Sequence, residues 1–280
     1  MRQNKTIPLH IYSEKLLDNS EGLWIFNGED NISYTPNGHA LSFKLEEKSF
    51  WYNHRNTIIL ETLQNYPAKW ILDVGGGTGF VSAFLQKNNI PTVLLEPVLE
   101  GALISKKRNI KQVICSTLET VEFYANSLPA ISLFDTLEHI ELDKDFLTSC
   151  HKLLQPDGRI YITVPAYQML WSDFDRQVGH FRRYTIKSLA NRLKEVGFEV
   201  EFSSYFFYLL PPFIWLIRAF LKRDYQQGST MKKQVDHGVK SSFLAKTMTF
   251  FIKIETFFIK QNRSIPFGSS CLVVAKKKRN

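Results

Sequence analysis

Short apolar runs alternate with longer amphipathic segments through the middle of the chain. Five runs have the length and composition of buried strands: Ile71–Val74, Thr92–Glu96, Gln112–Ser116, Ala130–Asp135 and Ile160–Pro165. Runs separated by helix-length segments are typical of parallel βαβ units, because each parallel crossover needs a dozen or more residues. Two more strands are predicted at Phe198–Phe207 and Pro266–Lys276. The pattern therefore predicts an α/β fold with a mostly parallel seven-stranded sheet and helices on both faces.

Turn signals and composition divide the chain into four parts. Residues 1–48 are irregular, with turn signals at Asn27–Asn31 and Pro36–Gly38, and we expect them to form a small N-terminal cap or a short hairpin. Residues 49–211 are the predicted core, which begins with a helix at Ser49–Leu63. Residues 212–264 are a predicted helical insertion, and residues 265–280 hold the last strand and a basic tail.

The first core strand leads into a glycine-rich turn with the pattern Asp73-x-Gly75-x-Gly77-x-Gly79. A turn of this kind between a strand and a helix cradles a ligand. A dinucleotide fingerprint would need its third glycine at Phe80, so the match to a pyrophosphate site fails. Glycines at alternate positions instead let the backbone approach a nucleoside that carries no phosphate.

Glu96 ends the second predicted strand and lies 17 residues after Gly79. Nucleotide-binding α/β folds place an acidic residue near this separation to bind the ribose, and a carboxylate accepts two hydrogen bonds at once. The alternative is a solvated side chain at a strand end.

Further motifs follow the glycine turn in a fixed order. Thr136–Ile140 contains Leu-Glu-His, and Leu153–Arg159 reads LLQPDGR, with Asp157 in place of a glycine. In this order the motifs resemble motif I, the LEH region of motif IV and the LLxPGG turn of the class I S-adenosylmethionine (SAM) methyltransferases. The resemblance covers Phe50–Phe198 and implies a Rossmann-like fold with SAM as cofactor. By resemblance and spacing, the cofactor contacts are predicted at Asp73, Gly75, Gly76, Gly77, Gly79, Glu96, Thr117, Leu118, Asp135 and Arg55.

The first core helix carries FWYNHRN at Phe50–Asn56, which resembles the FWF-x-x-R segment that the family places over the cofactor. By this resemblance Arg55 would meet the methionine carboxylate and Trp51 would cover it. The alternative is a helix that packs through Trp51 and Ile58 and leaves Arg55 in solvent.

The loop after the fifth predicted strand, Ala166–Tyr184, resembles the PAY…LWS…D…GHxRRY stretch of a bacterial subgroup of the family. Open α/β sheets bind ligands at the carboxyl ends of their strands, so this loop is the predicted acceptor site. His180 is our first candidate for a general base and His139 the second, since imidazole titrates near neutrality. Asp175 either orients His180 or pairs with an arginine to stiffen the loop. The predicted acceptor contacts are Tyr167, Trp171, Arg182, Arg183 and Tyr184.

Both histidines have a simpler alternative, in which the ring only bonds a loop carbonyl or a carboxylate. The two arginines would suit a phosphate or carboxylate on the acceptor, because a guanidinium forks onto such groups. Quinone-pathway O-methyltransferases of similar core can bind a divalent metal through an acidic pair around the Glu-His motif. Phe134 stands four positions before Glu138, so no metal is predicted.

Composition is that of a globular protein. The chain has 280 residues, of which 44% are hydrophobic, enough for a sizeable core. Its three cysteines, Cys115, Cys150 and Cys271, fit neither a disulfide framework nor a zinc cluster. Met1–Leu17 has no continuous apolar signal segment. A cytoplasmic location is expected.

The net charge of +8 is concentrated towards the carboxyl end, because Arg218–Asn280 holds 14 Lys and Arg against 3 Asp and Glu. Tyr205–Leu221 is apolar but broken by prolines, and is short for a membrane span. Phe243–Lys260 has the spacing of an amphipathic helix. Its predicted polar side holds Lys246, Thr249, Lys253, Thr256 and Lys260, and its predicted apolar side holds Leu244, Met248, Phe251, Ile252, Phe258 and Ile259.

This helix has two interpretations. It either caps the sheet or the substrate pocket with its lysines in water, or lies with the apolar stretch on an anionic membrane surface, which would place the protein at the inner membrane face. Nucleic acid is not an expected partner, because the aromatic residues fall on apolar runs and are not interleaved with basic ones.

These observations predict a SAM-dependent methyltransferase with a small-molecule or lipid-linked acceptor, and favour O-methylation over N- or C-methylation. One alternative is an NAD-dependent oxidoreductase or epimerase, which Phe80 and the absence of a Tyr-x-x-x-Lys pair disfavour. The other is a non-catalytic SAM-binding module at a membrane surface.

Overall fold

A computed structural model describes residues 6–17, 19, 21–26, 43, 46–47, 49–208 and 242–279, with side chains in the last range described from residue 250. The strands are β1 (Leu23–Ile25), β2 (Ile71–Val74), β3 (Thr92–Leu95), β4 (Val113–Cys115), β5 (Leu128–Phe134), β6 (Leu154–Pro165), β7 (Phe198–Phe206) and β8 (Ser270–Lys277). The helices are α1 (Phe50–Asn65), α2 (Phe80–Lys87), α3 (Leu99–Lys107), α4 (Leu118–Val121), α5 (Asp143–Leu153), α6 (Asp173–Gln177), α7 (Ile186–Glu195) and α8 (Ser242–Lys260). Single 3₁₀ turns cover Leu9–Ile11, Leu137–His139 and Gln168–Leu170.

The strands form one sheet in the order β1-β4-β3-β2-β5-β6-β8-β7. β1 to β6 pair in parallel, and β8 runs antiparallel to both β6 and β7. The strand order changes direction between β2 and β5, which lie side by side. Ligands of open α/β sheets bind at such a switch point, beyond the carboxyl ends of the strands.

The sheet has eight strands, so the prediction of seven was wrong by one. The additional strand, β1, comes from the segment predicted to form a small cap or a short hairpin outside the sheet, and its Leu23 pairs with Val113 at the edge of the sheet. Trp24 anchors it, because this side chain is buried and its indole N–H donates to the Leu17 carbonyl at 2.8 Å. A strand of three residues is too short to show an alternating pattern in the sequence.

β6 begins earlier than predicted, because all of the LLQPDGR segment after Leu153, the last residue of α5, is part of the strand. Its Asp157 has a φ of +62°, a left-handed conformation that glycine adopts without strain and that aspartate tolerates better than most residues. The pairing with β5 shifts register between Leu128 and Ala130, so the segment forms an irregular start to a long strand. The closing strand, β8, begins at Ser270 rather than at Pro266.

α1 covers one face of the sheet. Ile58, Ile59 and Leu63 belong to the same buried cluster as Ile71 of β2 and Leu272 of β8. At about 25 cal/mol per Å² of apolar surface removed from water, each such buried side chain contributes roughly 1.5–3 kcal/mol of gross burial free energy. Packing of this face holds the amino-terminal turn of α1 over the crevice between β2 and β5.

α8 packs on the outer side of α1 through a buried polar contact. The Glu255 carboxylate lies 2.5 Å from His54 Nε2 and accepts the Tyr208 backbone N–H at 2.5 Å. Ile259 is fully buried, and the Asn65 side chain donates to its carbonyl at 2.9 Å. The face of α8 that carries Glu255 and Ile259 is therefore held against the rest of the protein.

Some predictions fall on parts of the chain that the structure does not describe. Most of the predicted turn region at 27–42 and the first part of the insertion, residues 212–241, are outside the described residues. Among the helices in the described ranges, none has the length and apolarity needed to cross a membrane.

Candidate functional site

The glycine turn after β2 lines the crevice at the switch point. Gly75, Gly77 and Gly79 have φ values of +69°, +57° and +74°, which side-chain-bearing residues rarely adopt. Gly76 is required for a different reason, because a Cβ there would lie 2.1 Å from Leu94 Cδ1. The turn therefore presents bare backbone to the crevice and packs closely on β3.

Asp73 supports this turn from behind. It is fully buried, and its carboxylate accepts hydrogen bonds from Ser82 Oγ at 2.6 Å and Ser132 Oγ at 2.8 Å. Burial raises the pKa of Asp73, and the two serine hydroxyls partly offset that shift. The carboxylate joins β2 to α2 and β5, and its direct contact with a cofactor stays a prediction.

Glu96, beyond the end of β3, reaches the glycine turn. Its carboxylate accepts the backbone N–H of Gly77 at 2.8 Å and of Val98 at 2.9 Å. Burial raises the pKa of Glu96 to about 7, against the opposing effect of these two hydrogen bonds. The alternative of a solvated side chain at a strand end is wrong, because Glu96 is buried, and its contact with the ribose stays a prediction.

Thr117 and Leu118, two of the predicted cofactor contacts, have structural roles in the protein. Thr117 caps the amino terminus of α4, because its hydroxyl oxygen accepts a hydrogen bond from the Thr120 backbone N–H, with 3.4 Å between the two heavy atoms. Leu118 is buried in the main apolar cluster. Ser116, one position earlier, is buried, and its hydroxyl has no partner among the described residues. Ser116 is the more suitable hydrogen-bonding group at this end of β4, although sequence reasoning did not select it.

Arg55 enters the site from α1. Its Nη1 donates to Asp135 Oδ2 at 2.5 Å, and its guanidinium lies 5.1 Å from the Trp51 ring centroid and 5.2 Å from that of Tyr52. Asp135 itself has a φ of +56°, a left-handed conformation at the end of β5. Trp51 stacks on Phe207 with ring centroids 5.5 Å apart. The alternative in which Arg55 is solvated is wrong, because only 8% of its side chain is exposed.

The crevice suits a polar ligand. Arg55 Nε, Ser116 Oγ and Glu138 Oε2 are buried at this edge and lack hydrogen-bond partners in the described part of the chain. A buried polar group without a partner costs roughly 1–3 kcal/mol, so a ligand that pairs with such groups stabilises the folded state. The amino acid and nucleoside groups of SAM supply both donors and acceptors.

Sequence reasoning missed a second buried network beside the glycine turn. Glu46 accepts hydrogen bonds from Thr78 Oγ1 at 2.6 and 2.8 Å and from Arg108 Nη2 at 2.8 Å. The Arg108 guanidinium lies 4.9 Å from the centroid of Phe80. This network ties the segment before α1 to the turn, and no sequence motif signals it because its members are far apart in the chain.

The predicted catalytic residues lie together beyond β5 and β6. His180 Nδ1 is 2.9 Å from Asp175 Oδ1, and His180 Nε2 is 3.9 Å from Glu138 Oε1. The His139 and His180 rings meet edge to face, with centroids 4.6 Å apart. Asp175 also accepts two hydrogen bonds from Arg183, at 2.8 and 3.0 Å, so it both orients His180 and pairs with an arginine.

Burial and charge separate the protonation states in this cluster. Burial raises the pKa of Asp175, but hydrogen bonds from His180 and Arg183 outweigh it and hold that pKa well below its usual range. Burial, together with the nearby Asp135 charge, raises the pKa of Glu138 well above its usual range. Burial and the His180 ring lower the pKa of His139 to about 4. At neutral pH the cluster therefore holds an ionised Asp175 and an uncharged His139.

A family model described as "Methyltransferase domain" matches residues 51–202, more than half of the chain and all of the site described above apart from the Glu46 segment. The chain belongs to the methyltransferase domain family. This membership disfavours the oxidoreductase alternative, and SAM is the cofactor of this family. Its placement in the crevice stays a prediction.

Curated relatives of this methyltransferase share part of its length. The mitochondrial ubiquinone biosynthesis O-methyltransferase of Mus musculus is 26% identical over 123 residues, 39% of this chain and 33% of the relative. The corresponding Homo sapiens protein is 28% identical over 120 residues, 38% of this chain and 32% of the relative. The matched segment thus spans about a third of each curated relative.

Solved structures confirm the Rossmann-like class I fold. Phosphoethanolamine N-methyltransferase 2 of Haemonchus contortus, in complex with SAM, has a TM-score of 0.56 at 15% identity, covering 89% of this chain and 59% of that chain. A SAM-dependent methyltransferase of Thermotoga maritima has a TM-score of 0.53 at 13% identity, covering 86% and 95% of the two chains. At these identities the likeness concerns the fold alone.

The acceptor loop of the methyltransferase is largely engaged with the protein itself. Arg182 Nη1 lies 3.1 Å from Asp143 Oδ2, and the Tyr184 hydroxyl donates to the same oxygen at 2.9 Å. Tyr167 stacks on Tyr205 with centroids 5.1 Å apart. Trp171 is half-buried and Tyr184 is buried in the main apolar cluster. In this conformation the loop is braced by ion pairs, and its contacts with an acceptor stay predictions.

Three side chains of the site have metal-ligand character. Atoms of Glu138, His139 and His180 that could coordinate a cation all lie within 4.8 Å of one another. The prediction that no metal binds rested on Phe134, which stands where the family's metal-binding acidic residue would be. The cluster in the structure includes His180 from the predicted acceptor loop, which was not considered as a metal ligand in that prediction. That prediction stays untested.

We expect the affinity of the methyltransferase for SAM to fall as pH decreases below about 7, the pKa of Glu96. In the predicted complex the ribose hydroxyls donate hydrogen bonds to the ionised Glu96 carboxylate, and protonation of Glu96 weakens it as an acceptor. The affinity for SAM should therefore be highest above the pKa of Glu96 and should decrease as the pH falls below it. Titration calorimetry from pH 8.5 to 6 should show a decrease of roughly tenfold. Glu96→Gln should bind SAM more weakly at pH 8 and show no such pH dependence. A wild-type affinity that is constant over this range would contradict the assignment.

Proposed function

We propose that the protein transfers the methyl group of SAM to a hydroxyl group of a small or lipid-linked acceptor. The observation that carries the proposal is the His180–Asp175 pair, with a 2.9 Å contact at Nδ1, beside the Arg55–Asp135 pair at the switch point. The chain spans about a third of the curated relatives that it matches, so the activity is inferred from the site and not from those proteins as wholes.

The chemistry asks for alignment and one proton transfer. SAM supplies an activated methyl group on a sulfonium, so the protein has to hold donor and acceptor in line in a dry site. The acceptor oxygen forms a bond to the methyl carbon as the sulfur–carbon bond breaks, and S-adenosylhomocysteine leaves. His180 accepts the hydroxyl proton at Nε2, since its Nδ1 is held by Asp175.

Asp175 prepares His180 for this step. Because its pKa lies well below the usual range, the carboxylate is ionised at neutral pH and stabilises the imidazolium formed when His180 takes a proton. His139, whose pKa is lowered to about 4, is uncharged and adds no repulsion to that imidazolium. The contact with Asp175, and the lowered pKa that makes His139 a weaker base, therefore favour His180 over His139 as the base.

An apolar acceptor is favoured by the rim of the site. Leu142, Met169, Phe174 and Phe181 are 68%, 79%, 37% and 42% exposed, and they lie in the loops that carry Glu138 and His180. Exposed apolar side chains grouped around a site are typical of binding surfaces. O-methylation is further favoured by the Mus musculus and Homo sapiens relatives, which are ubiquinone biosynthesis O-methyltransferases.

Turnover assays test the proposal. Purified protein is incubated with methyl-labelled SAM and either water-soluble phenols and catechols or an extract of bacterial lipids, and S-adenosylhomocysteine and labelled product are measured. We expect labelled O-methyl ether and an equal amount of S-adenosylhomocysteine with at least one acceptor class. Label in N-methyl or C-methyl products would contradict O-methylation, and SAM binding with no turnover on any acceptor would favour the non-catalytic module.

The proposed setting is the cytoplasm. Cys115, Cys150 and Cys271 are all free and buried, which suits a reducing compartment. A lipid-linked acceptor would bring the protein to the inner membrane face. Native mass spectrometry of protein purified directly from cells should reveal a retained acceptor, and an acceptor with no isoprenoid or acyl chain would argue for a small soluble substrate.

A further inference from the structure

The exposed face of α8 carries aromatic and basic side chains in alternation. Phe250 and Phe257 are 61% and 56% exposed, and Lys253 and Lys260 on the same helix are exposed as well. Their spacing of three and four residues places all four along one stripe. The sequence continues this spacing upstream with Lys246 and Phe243.

The stripe points away from the protein because the opposite face of α8 is fixed. At about 100° per residue, Phe250, Lys253, Phe257 and Lys260 all lie roughly half a turn around the helix axis from Glu255. Glu255 is buried and held by His54 and the Tyr208 N–H. The inward direction of this acidic residue therefore sets the outward direction of the stripe.

The stripe continues as an aromatic cluster towards the ligand-binding edge of the sheet. Phe250 contacts Phe251, with centroids 5.6 Å apart, and Tyr208 contacts Phe251 at 5.8 Å and Phe267 at 6.1 Å. Phe267 is 47% exposed and lies just before β8, whose first residue pairs with Pro165 at the carboxyl end of β6. Half-buried Phe251 and Tyr208 thus connect the exposed rings of Phe250 and Phe267, and the cluster reaches the edge of the sheet that holds the candidate site.

We propose that this surface, formed by the α8 stripe and Phe267, docks on an anionic lipid bilayer. The phenylalanines would insert into the boundary between headgroups and acyl chains, and the lysines would meet anionic headgroups. Between residues 250 and 279 the exposed cations include Lys253, Lys260 and Arg263, and the single acidic residue of this stretch, Glu255, is buried and does not lie among them. This inference goes beyond the proposed reaction and holds for a soluble or a lipid-linked acceptor.

Charge argues against a second copy of the chain as the occupant of this surface, and shape argues against nucleic acid. A second copy of the chain, paired across a twofold axis, would bring the lysines of two stripes together without carboxylates to neutralise them. The expectation from the sequence that aromatic and basic residues are not interleaved does not hold on this stripe, where Phe250, Lys253, Phe257 and Lys260 alternate. Single-stranded nucleic acid, however, binds in positively charged grooves with stacking side chains, whereas the stripe lies on the convex side of a helix. An anionic bilayer matches both the phenylalanines and the lysines.

Vesicle co-sedimentation of the full-length protein tests the proposal. Vesicles of phosphatidylcholine alone are compared with vesicles containing about a third phosphatidylglycerol, at low and high salt. We expect binding to the anionic vesicles that weakens with salt, and weak binding to the neutral ones. Lys253→Gln with Lys260→Gln should lower the partition coefficient about 30-fold, close to fivefold for each lysine. Phe250→Ser with Phe257→Ser should lower it at least about tenfold.

Matched controls separate the stripe from general charge and apolarity. Ile11→Ser with Leu17→Ser removes two side chains that are 52% and 70% exposed elsewhere, and Lys87→Gln with Lys194→Gln removes two exposed charges elsewhere. Neither pair should change vesicle binding by more than about twofold. SAM affinity measured on every variant reports whether the fold and the cofactor site are intact, and it is independent of the vesicle result.

Several results would overturn the docking surface. Two of them concern the vesicles: equal binding to neutral and anionic vesicles, or the same loss of vesicle binding in the stripe variants and the control variants. The other two point to a different occupant. They are tighter salt-sensitive binding to a single-stranded oligonucleotide than to vesicles, and a dimer in sedimentation that the Phe250→Ser and Phe257→Ser substitutions dissociate. Loss of turnover without loss of vesicle binding would instead bear on the proposed function alone.

Discussion

Gly77→Arg is expected to abolish measurable SAM binding while the protein stays folded. Gly77 has a φ of +57°, a conformation that costs an L side chain roughly 1–2 kcal/mol, and its N–H donates to Glu96 at 2.8 Å. A long cationic side chain at this position would fill the crevice where bare backbone now faces the ligand. The affinity for SAM should fall by at least about 100-fold.

A glycine at the opposite edge of the sheet provides the control. Gly197 has a φ of +97° in the turn between α7 and β7, so Gly197→Arg introduces comparable backbone strain far from the crevice. Calorimetry with SAM and thermal unfolding are measured on both variants. We expect both to lose some stability and only Gly77→Arg to lose affinity. Equal affinities in the two variants would mean that the glycine turn is not the cofactor site.

His180→Ala is expected to lower kcat by roughly 100- to 10,000-fold with a hydroxyl acceptor, while SAM affinity changes little. His180 is held by Asp175 through Nδ1, and it is the ring whose Nε2 faces the buried Glu138. Removal of the imidazole leaves no positioned base for the acceptor proton. Its loss should therefore appear in kcat and not in the dissociation constant of SAM.

His151→Ala is the matched control for this prediction. His151 lies on α5 with its ring 4.9 Å from that of Phe198, at the start of β7, and takes no part in the site. Single-turnover rates with the acceptor found in the turnover assays are compared across a range of pH. A rate for His180→Ala within about threefold of the wild type would show that the histidine is structural and that the reaction needs no base from this loop.

The local chemistry of the cofactor turn could be predicted from sequence because its signals are local. A buried strand, glycines at alternate positions and an acidic residue after the next strand all fall within 26 residues, Ile71 to Glu96. The structure places the Glu96 carboxylate on the Gly77 N–H, and its predicted contact with the ribose stays a prediction. The pairing of His180 with Asp175 was also open to prediction, since both lie in one short loop.

Long-range features could not be predicted. β1 is three residues long and pairs with β4 some 90 positions away, so neither periodicity nor a motif reports it. The same holds for Glu46, whose partners Thr78 and Arg108 are 32 and 62 positions distant. Leu118 has the same identity whether it covers a ligand or fills a core, and only the fold shows that it is buried in the main cluster.

For α8 the sequence pattern predicted the amphipathic helix but only part of what its outer face carries. The lysines were expected on a purely polar side, and Phe250 and Phe257 were assigned to neither side. Glu255, a lone acidic residue, turns inward to His54, and this contact places the two phenylalanines between the lysines on the outer face. A buried polar contact between two side chains can thus override the simple separation of polar and apolar residues.

Titration calorimetry of the wild-type protein with SAM, and separately with NAD, tests the central claim most directly. That claim is that the glycine turn after β2, supported by Asp73 and joined to Glu96, holds SAM. We predict one binding event per chain for SAM, lost in Gly77→Arg, and no heat of binding for NAD. Binding of NAD without SAM, or SAM binding that Gly77→Arg leaves unchanged, would contradict it.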